Sequence, residues 1–116
     1  MTRSRRYRIL VLDADTGAAL AVVQSLGRAG HEVAVAGAAP GCWAHRSRFA
    51  SSRLVYPDPM VDREAFIGWI RRQAGYDLVI PPTDRTVLPI HAIRDEPVLS
   101  GRVALPPAAA VEIGFD

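Results

Sequence analysis

Apolar and polar positions switch between two periods along this chain, and the first switch sets the pattern for the rest. Ile9-Leu10-Val11-Leu12 is a short unbroken apolar run after Arg8, which suits a strand buried on both faces of a sheet. It ends in Asp13-Ala14-Asp15-Thr16-Gly17. Ala19, Val22, Val23 and Leu26 then fall at i, i+3, i+4 and i+7, the buried stripe of a helix. Asp15 or Thr16 can cap its free N–H groups, and Gly30 stands where a left-handed residue closes such a helix. His31 to Gly37 reads as a second strand directly afterwards. Strand, helix, glycine and strand at this spacing form a right-handed β-α-β crossover of a parallel sheet.

The period is lost from Gly37 to Ser52, where Ala38-Ala39-Pro40-Gly41 makes a turn and Cys42 to Ala50 has room for one or two helical turns. Arg53 to Tyr56 is a short third strand stopped by Pro57-Asp58-Pro59. Asp62 caps a second helix with Phe66, Ile67, Trp69, Ile70 and Ala74 inward and Gly75 closing it. Tyr76 to Ile80 is a fourth strand ended by Pro81-Pro82. Asp84 then caps a third helix through Val87, Leu88, Ile90 and Ile93, which Pro89 must either kink or delay until about Leu88. Arg102 to Leu105 reads as a fifth strand. Pro107, in a first turn, opens a last helix over Ala108 to Ile113.

This alternation predicts a three-layer α/β domain, a Rossmann-like open parallel sheet of about five strands in the order 3-2-1-4-5. Winding then reverses between strands 1 and 4. The loops Asp13 to Gly17 and Pro81 to Asp84 therefore flank one crevice at the carboxyl ends of the strands, where ligands of open α/β sheets bind. Residues 1–7 form a basic tail, and 8–116 form a single domain.

Composition narrows the chemistry. The chain has 116 residues, 49% of them hydrophobic, enough for one core. All 14 basic residues are arginine. No lysine is available for a phosphate loop, a Schiff base or an acyl-phosphate contact. The net charge of +2 comes largely from the arginines near the start, so the expectation is a solvated tail rather than a nucleic-acid surface. No run is long enough to span a membrane, and the start lacks the apolar core of a signal peptide. The expected location is cytoplasmic. Cys42 is the single cysteine and allows no internal disulfide.

The candidate site residues are those of the two crevice loops: Asp13, Asp15, Thr16 and Gly17 in the first, Pro82, Thr83 and Asp84 in the second. A glycine after short polar residues admits a ligand to the backbone, and the helix behind it favours an anion. The bland reading is a pair of helix caps. Dinucleotide binding is poorly supported, because no G-x-G-x-x-G is present and the second strand ends in Gly37 where an acidic ribose partner belongs. A response-regulator receiver needs an aspartate after the third strand and a lysine after the fifth; Tyr56-Pro57 and the lack of lysine exclude it. Cys42, Trp43 and His45 do not make up a metal site. His31 and His91 have no companion ligands. No catalytic residue and no metal ligand is assigned.

With these residues laid out, the chain from about Arg8 to its last residue resembles the N-terminal, pre-ATP-grasp domain of ATP-grasp ligases, in particular carbamoyl-phosphate-synthase-like and amino-acid-ligase-like members. The likeness lies in the order and spacing of Ile9 to Asp13, Ala18 to Val33, Ser47-Arg48-Phe49, Tyr56-Pro57-Asp58-Pro59, Asp77 to Asp84 and Leu105-Pro106-Pro107. The resemblance implies a domain that forms one wall of a substrate site and packs against an ATP-grasp domain, in cis or in trans. It also implies ATP and Mg²⁺ in the parent enzyme, a small carboxylate or amine substrate, and an acyl-phosphate intermediate. On it, the chain is truncated before its ATP-grasp domain, does not catalyse ligation alone and binds no cofactor tightly.

The leading expectation is therefore a substrate-side domain of an ATP-dependent carboxylate–amine ligase. The competing readings are a stand-alone nucleotide or small-anion binding module using the same loops, and a structural docking domain. The oligomeric state, homodimer included, stays open.

Overall fold

The computed structural model describes residues 6–103. Strand β1 (Arg8–Val11) leads through helix α1 (Gly17–Arg28) to β2 (Glu32–Gly37), and a 3₁₀ turn (Ala44–Arg46) precedes β3 (Ala50–Val55). Helix α2 (Arg63–Arg71), β4 (Leu78–Ile80) and α3 (Asp84–Ala92) follow. The four strands form one sheet in the order β3-β2-β1-β4, and every pairing is parallel. This is the Rossmann-like α/β architecture, with its reversal between β1 and β4.

The apolar run at β1 has a direct packing cause. Ile9 and Val11 enter the layer under α1 with Ala19, Val23, Val33 and Val35. Leu10 and Leu12 enter the opposite layer with Phe66, Ile67, Ile70 and Ile90 of α2 and α3. Both faces are dry, so a polar residue is tolerated on neither side. Helix α1 begins as expected: the Thr16 hydroxyl accepts from the Ala19 N–H at 3.1 Å. It ends in a Schellman closure, with His31 N–H donating to Leu26 and Gly30 N–H to Gly27, which requires the positive φ of 91° at Gly30. Asp62 caps α2 by accepting from Ala65 N–H at 3.0 Å.

Several expectations needed correction. Strand β3 starts at Ala50 rather than Arg53. It is an edge strand, and its exposed Ser51, Ser52 and Arg53 hide it from any hydrophobic pattern. Helix α2 stops at Arg71, leaving Ala74 exposed and Gly75 in a separate turn. Strand β4 begins at Leu78, two residues late. Helix α3 runs from Asp84 through Pro89, which is buried, so the delayed start near Leu88 does not occur. Its N-cap is Thr83, not Asp84. Only Val103 of the expected fifth strand joins the sheet among the described residues, in a parallel bridge to Val79 of β4. Leu105, Pro107 and the expected last helix lie outside the described residues.

Gly27 marks a close approach of α1 to the loop before β3, since an added Cβ would meet the Phe49 ring. Alanine is favoured over glycine inside a helix by about 1 kcal/mol, but overpacking costs typically ~1–3 kcal/mol. Gly27→Ala should therefore lower stability in the native background, and by less in a Phe49→Ala background, where the ring is gone but the Cβ of residue 49 still meets the added one. Urea unfolding of the four proteins checks the difference.

Candidate functional site

The crevice at the carboxyl ends of β1 and β4 is built around Asp13. Leu12 N–H still donates to Ile80 at 3.0 Å, and Ala14 N–H donates to Ala36 at 3.1 Å. Between them Asp13 takes a left-handed φ of 57°, a conformation that aspartate tolerates better than most residues. The twist turns its side chain under the first turn of α3. There Asp13 is 1% exposed.

A buried carboxylate must be paired and hydrogen-bonded, and this one is. Its Oδ2 accepts from the Thr83 N–H at 3.2 Å, the Thr83 hydroxyl at 2.9 Å and the Thr86 hydroxyl at 2.6 Å. Its Oδ1 lies 3.2 Å from Arg85 Nη2. Both oxygens are thus partnered, Oδ2 by three hydrogen bonds and Oδ1 by the Arg85 guanidinium. Thr83 and Thr86 are three residues apart and so share one face of the helix start. The Thr83 hydroxyl donates to Asp13 and makes no capping bond for its own helix.

Two further groups complete the arrangement. The Asp13 N–H donates to the Tyr56 phenol oxygen at 3.0 Å, and burial, then the nearby Asp13 charge, push that phenol well above its usual pKa. Arg85 reaches outward to grip Asp15 bidentately, at 2.8 and 3.1 Å. The Arg85 hydrogen bond holds the Asp15 carboxyl below its usual range, and the same bond strengthens the hold of Arg85 on its charge.

The two predicted loops thus meet, as the topology requires, but their members divide into two sets. Asp13, Thr83 and Thr16 are used by the fold: latch acceptor, latch donor and helix cap. Asp15, Gly17 and Asp84 are exposed at the rim, and nothing lies within 4 Å of a Cβ added at Gly17. Pro82 is half-buried behind them. Met60, Asp84, Arg85 and Leu88 line a shallow hollow of about 170 Å³ beside the latch. Sequence reasoning missed Arg85, Thr86 and Tyr56. The Thr83-Asp84-Arg85-Thr86 spacing carried the first two; Tyr56 arrives from β3 and had no local signal.

The chemistry of the donors does not suit ATP or Mg²⁺ on this part of the chain. Asp13 has its oxygens filled by protein donors, Asp15 is engaged by Arg85, and no lysine exists to meet a phosphate. No group of three or more histidine, cysteine, aspartate or glutamate side chains among the described residues could hold a metal ion. An acidic ribose partner at the end of β2 would also lack space, because a Cβ at Gly37 would come within 3.0 Å of Ala14 Cβ and 3.3 Å of Cys42 Sγ. No helix among the described residues is long and apolar enough to cross a membrane.

Fold and crevice define an open, parallel α/β domain with its loops gathered at a topological switch point. Among solved structures, the chain is similar to glycinamide-RNase-transformylase T from Mycobacterium tuberculosis, with 28% identity and a TM-score of 0.59. The match covers 90% of this chain and 28% of that one. No protein-family model matches the chain, and no curated protein matches it.

The latch makes two measurable demands. Thr86→Val preserves packing but removes a donor from a buried carboxylate, a loss of about 1.5–3 kcal/mol. Thr86→Ser keeps the hydroxyl and should cost less, although it leaves a methyl-sized gap. Equilibrium unfolding gives the order; a valine variant as stable as the serine variant would remove the latch from the account.

The Asp15–Arg85 pair sets a pH dependence. Since the Asp15 pKa is lowered on folding, the pair contributes stability above the unfolded value near 3.8, and loses it as pH falls through the lower folded value. The pair is exposed, so the contribution is below about 1 kcal/mol. Asp15→Asn should differ from the native chain at pH 7 and converge with it in acid below the lowered folded value, as read by urea midpoints at low salt.

Proposed function

We infer that this chain is the N-terminal, substrate-side domain of an ATP-grasp enzyme. The observation that carries this reading is the match of nearly the whole chain to about a quarter of glycinamide-RNase-transformylase T, an ATP-grasp family enzyme. The ordered likeness of the sequence to pre-ATP-grasp domains points the same way. In the finer form of the proposal, the parent enzyme is an ATP-dependent carboxylate–amine ligase, or a carbamoyl-phosphate-synthase-like relative. It uses ATP and Mg²⁺ held by an ATP-grasp domain in cis or in trans, and this chain alone is inactive.

The geometry supports a wall rather than a catalytic centre. The exposed Asp15, Gly17 and Asp84 are the members of the two loops free to face a small carboxylate or amine, while Asp13, Thr16 and Thr83 hold those loops in place. Arg85 offsets the charge of Asp15, so the wall carries mixed charge rather than an acidic patch. Met60 and Leu88, which line the hollow beside the latch, are 72% and 37% exposed. Apolar side chains gathered at the rim of a hollow suit a face that another domain covers.

Calorimetry of the 116-residue chain with ATP and Mg²⁺ tests the division of labour. The expected result is no saturable binding below the millimolar range and no ATP hydrolysis. Tight nucleotide binding would instead establish the stand-alone nucleotide module. Reading the coding DNA past Asp116 tests the parentage: an ATP-grasp domain in frame, or in an adjacent gene, supports the proposal, and the lack of both overturns it.

A further inference from the structure

A second concavity lies away from the Asp13 latch, on the open edge of β3. It encloses about 300 Å³ and is lined by Pro40, Gly41, His45, Arg46, Arg53 and Val55. Three segments build it: the loop that leaves β2, the 3₁₀ turn, and the outward face of β3. It stands toward the carboxyl ends of β2 and β3, the side of an open α/β sheet on which ligands bind.

His45 fixes the shape. It is 3% exposed, and its Nδ1 accepts from the Cys42 N–H at 3.1 Å. The proton is therefore on Nε2, which lies 2.9 Å from the Leu54 carbonyl and donates to it. Both ring nitrogens are spent on the backbone, which leaves a neutral imidazole presenting carbon to the cavity. Pro40 and Val55 add aliphatic wall, and Val55 is 48% exposed although it ends a strand.

The charge in this cavity has one sign. Arg8, Arg71 and Arg85 each hold a carboxylate. Arg46 and Arg53 pair with none among the described residues, and no acidic side chain lines the cavity. Arg53 is oriented by its Nε–H, which donates to the His45 carbonyl at 2.6 Å. That bond leaves both terminal nitrogens of its guanidinium open to a ligand. Arg46 has no hydrogen bond from its side chain among the described residues. Two guanidinium groups beside an apolar pocket match an oxyanion attached to a compact apolar body, because each offers a planar fork of donors to a phosphate or carboxylate.

We propose that this cavity is a binding site for a small amphiphilic oxyanion, its head held by Arg46 and Arg53 and its apolar body lodged against Pro40, Val55 and the His45 ring. It is separate from the substrate wall at the Asp13 loops and does not depend on the ATP-grasp reading. Its volume is at the lower end of small-molecule sites, roughly 300–1,000 Å³, so the body is about the size of one ring.

Titration of phenyl phosphate into the ¹⁵N-labelled chain, followed by amide shifts, tests this. Saturable shifts centred on Gly41, His45, Arg46, Arg53 and Val55 are expected, with weaker binding of inorganic phosphate at the same amides. Arg46→Gln should weaken phenyl phosphate roughly tenfold or more, with an otherwise unchanged spectrum because that side chain supports no fold contact. Arg53→Gln provides a second, independent loss. Shifts centred on the Asp15–Gly17 and Thr83–Arg85 loops would overturn the proposal. So would unchanged affinity in both variants, or non-saturating shifts spread over the surface. Equal affinity for inorganic and phenyl phosphate would overturn the apolar half of the site.

Discussion

A single buried carboxylate fixes the relation between the two halves of this domain. Asp13 leaves the end of the first strand in a left-handed turn and places its oxygens under the third helix, where Thr83, Thr86 and Arg85 meet them. An unpaired charge in that position would be strongly unfavourable. The loop and the helix start therefore hold each other in one geometry, and neither can shift without exposing or orphaning the carboxylate. The Thr83 hydroxyl, at the N-cap position, is turned to Asp13 and makes no capping bond. The network also crosses to the edge of the sheet, because the Asp13 N–H is satisfied by Tyr56 beyond β3.

The rest of the sheet gives this carboxylate its dry surroundings. Leu12 and Ala14, its chain neighbours, are fully buried, and their N–H groups extend the ladder toward β4 on one side and β2 on the other. Ala14 also accepts from Ala44 at 2.9 Å, which ties the turn to the 3₁₀ segment. Gly37 is needed in the same place for a steric reason: the β2 backbone passes too close to Ala14 and Cys42 for a larger residue. On the α2 side, Tyr56 packs edge-on against Phe66 with ring centres 5.0 Å apart. The phenol is thus held by its ring on one side and by the Asp13 N–H at its tip.

Much of this was legible in the sequence where local chemistry and tertiary demand agree. The run Ile9 to Leu12 is apolar because both faces are covered, and Thr16, Gly30 and Asp62 stop or start helices by their own side-chain or backbone properties. The meeting of the two crevice loops followed from strand order alone. What was hidden depends on contacts from a distance. The polar start of β3 is permitted only because it is an edge. Pro89 continues a helix because burial of its ring and the anchoring of Thr83 and Thr86 hold the preceding turn. The burial of Asp13 was hidden for the same reason: a carboxylate after a central strand looks the same in sequence whether it faces solvent or three residues at the start of another helix.

That difference changes how the crevice must be read. In sequence, Asp13 and Asp15 form an acidic pair that would repel an anion or attract a metal. In the fold, Asp13 is buried among donors and one Arg85 serves both carboxylates, so the group carries a net charge of −1 rather than −2, with Asp13 shielded from solvent. Substitution of Asp13, Thr83 or Thr86 then reports first on folding, whatever the domain binds. The exposed Asp15, Gly17 and Asp84 are where a change in ligand binding can be separated from a change in stability. The latch holds the two loops in register, so the rim keeps its geometry while Asp13 and Thr86 stay buried.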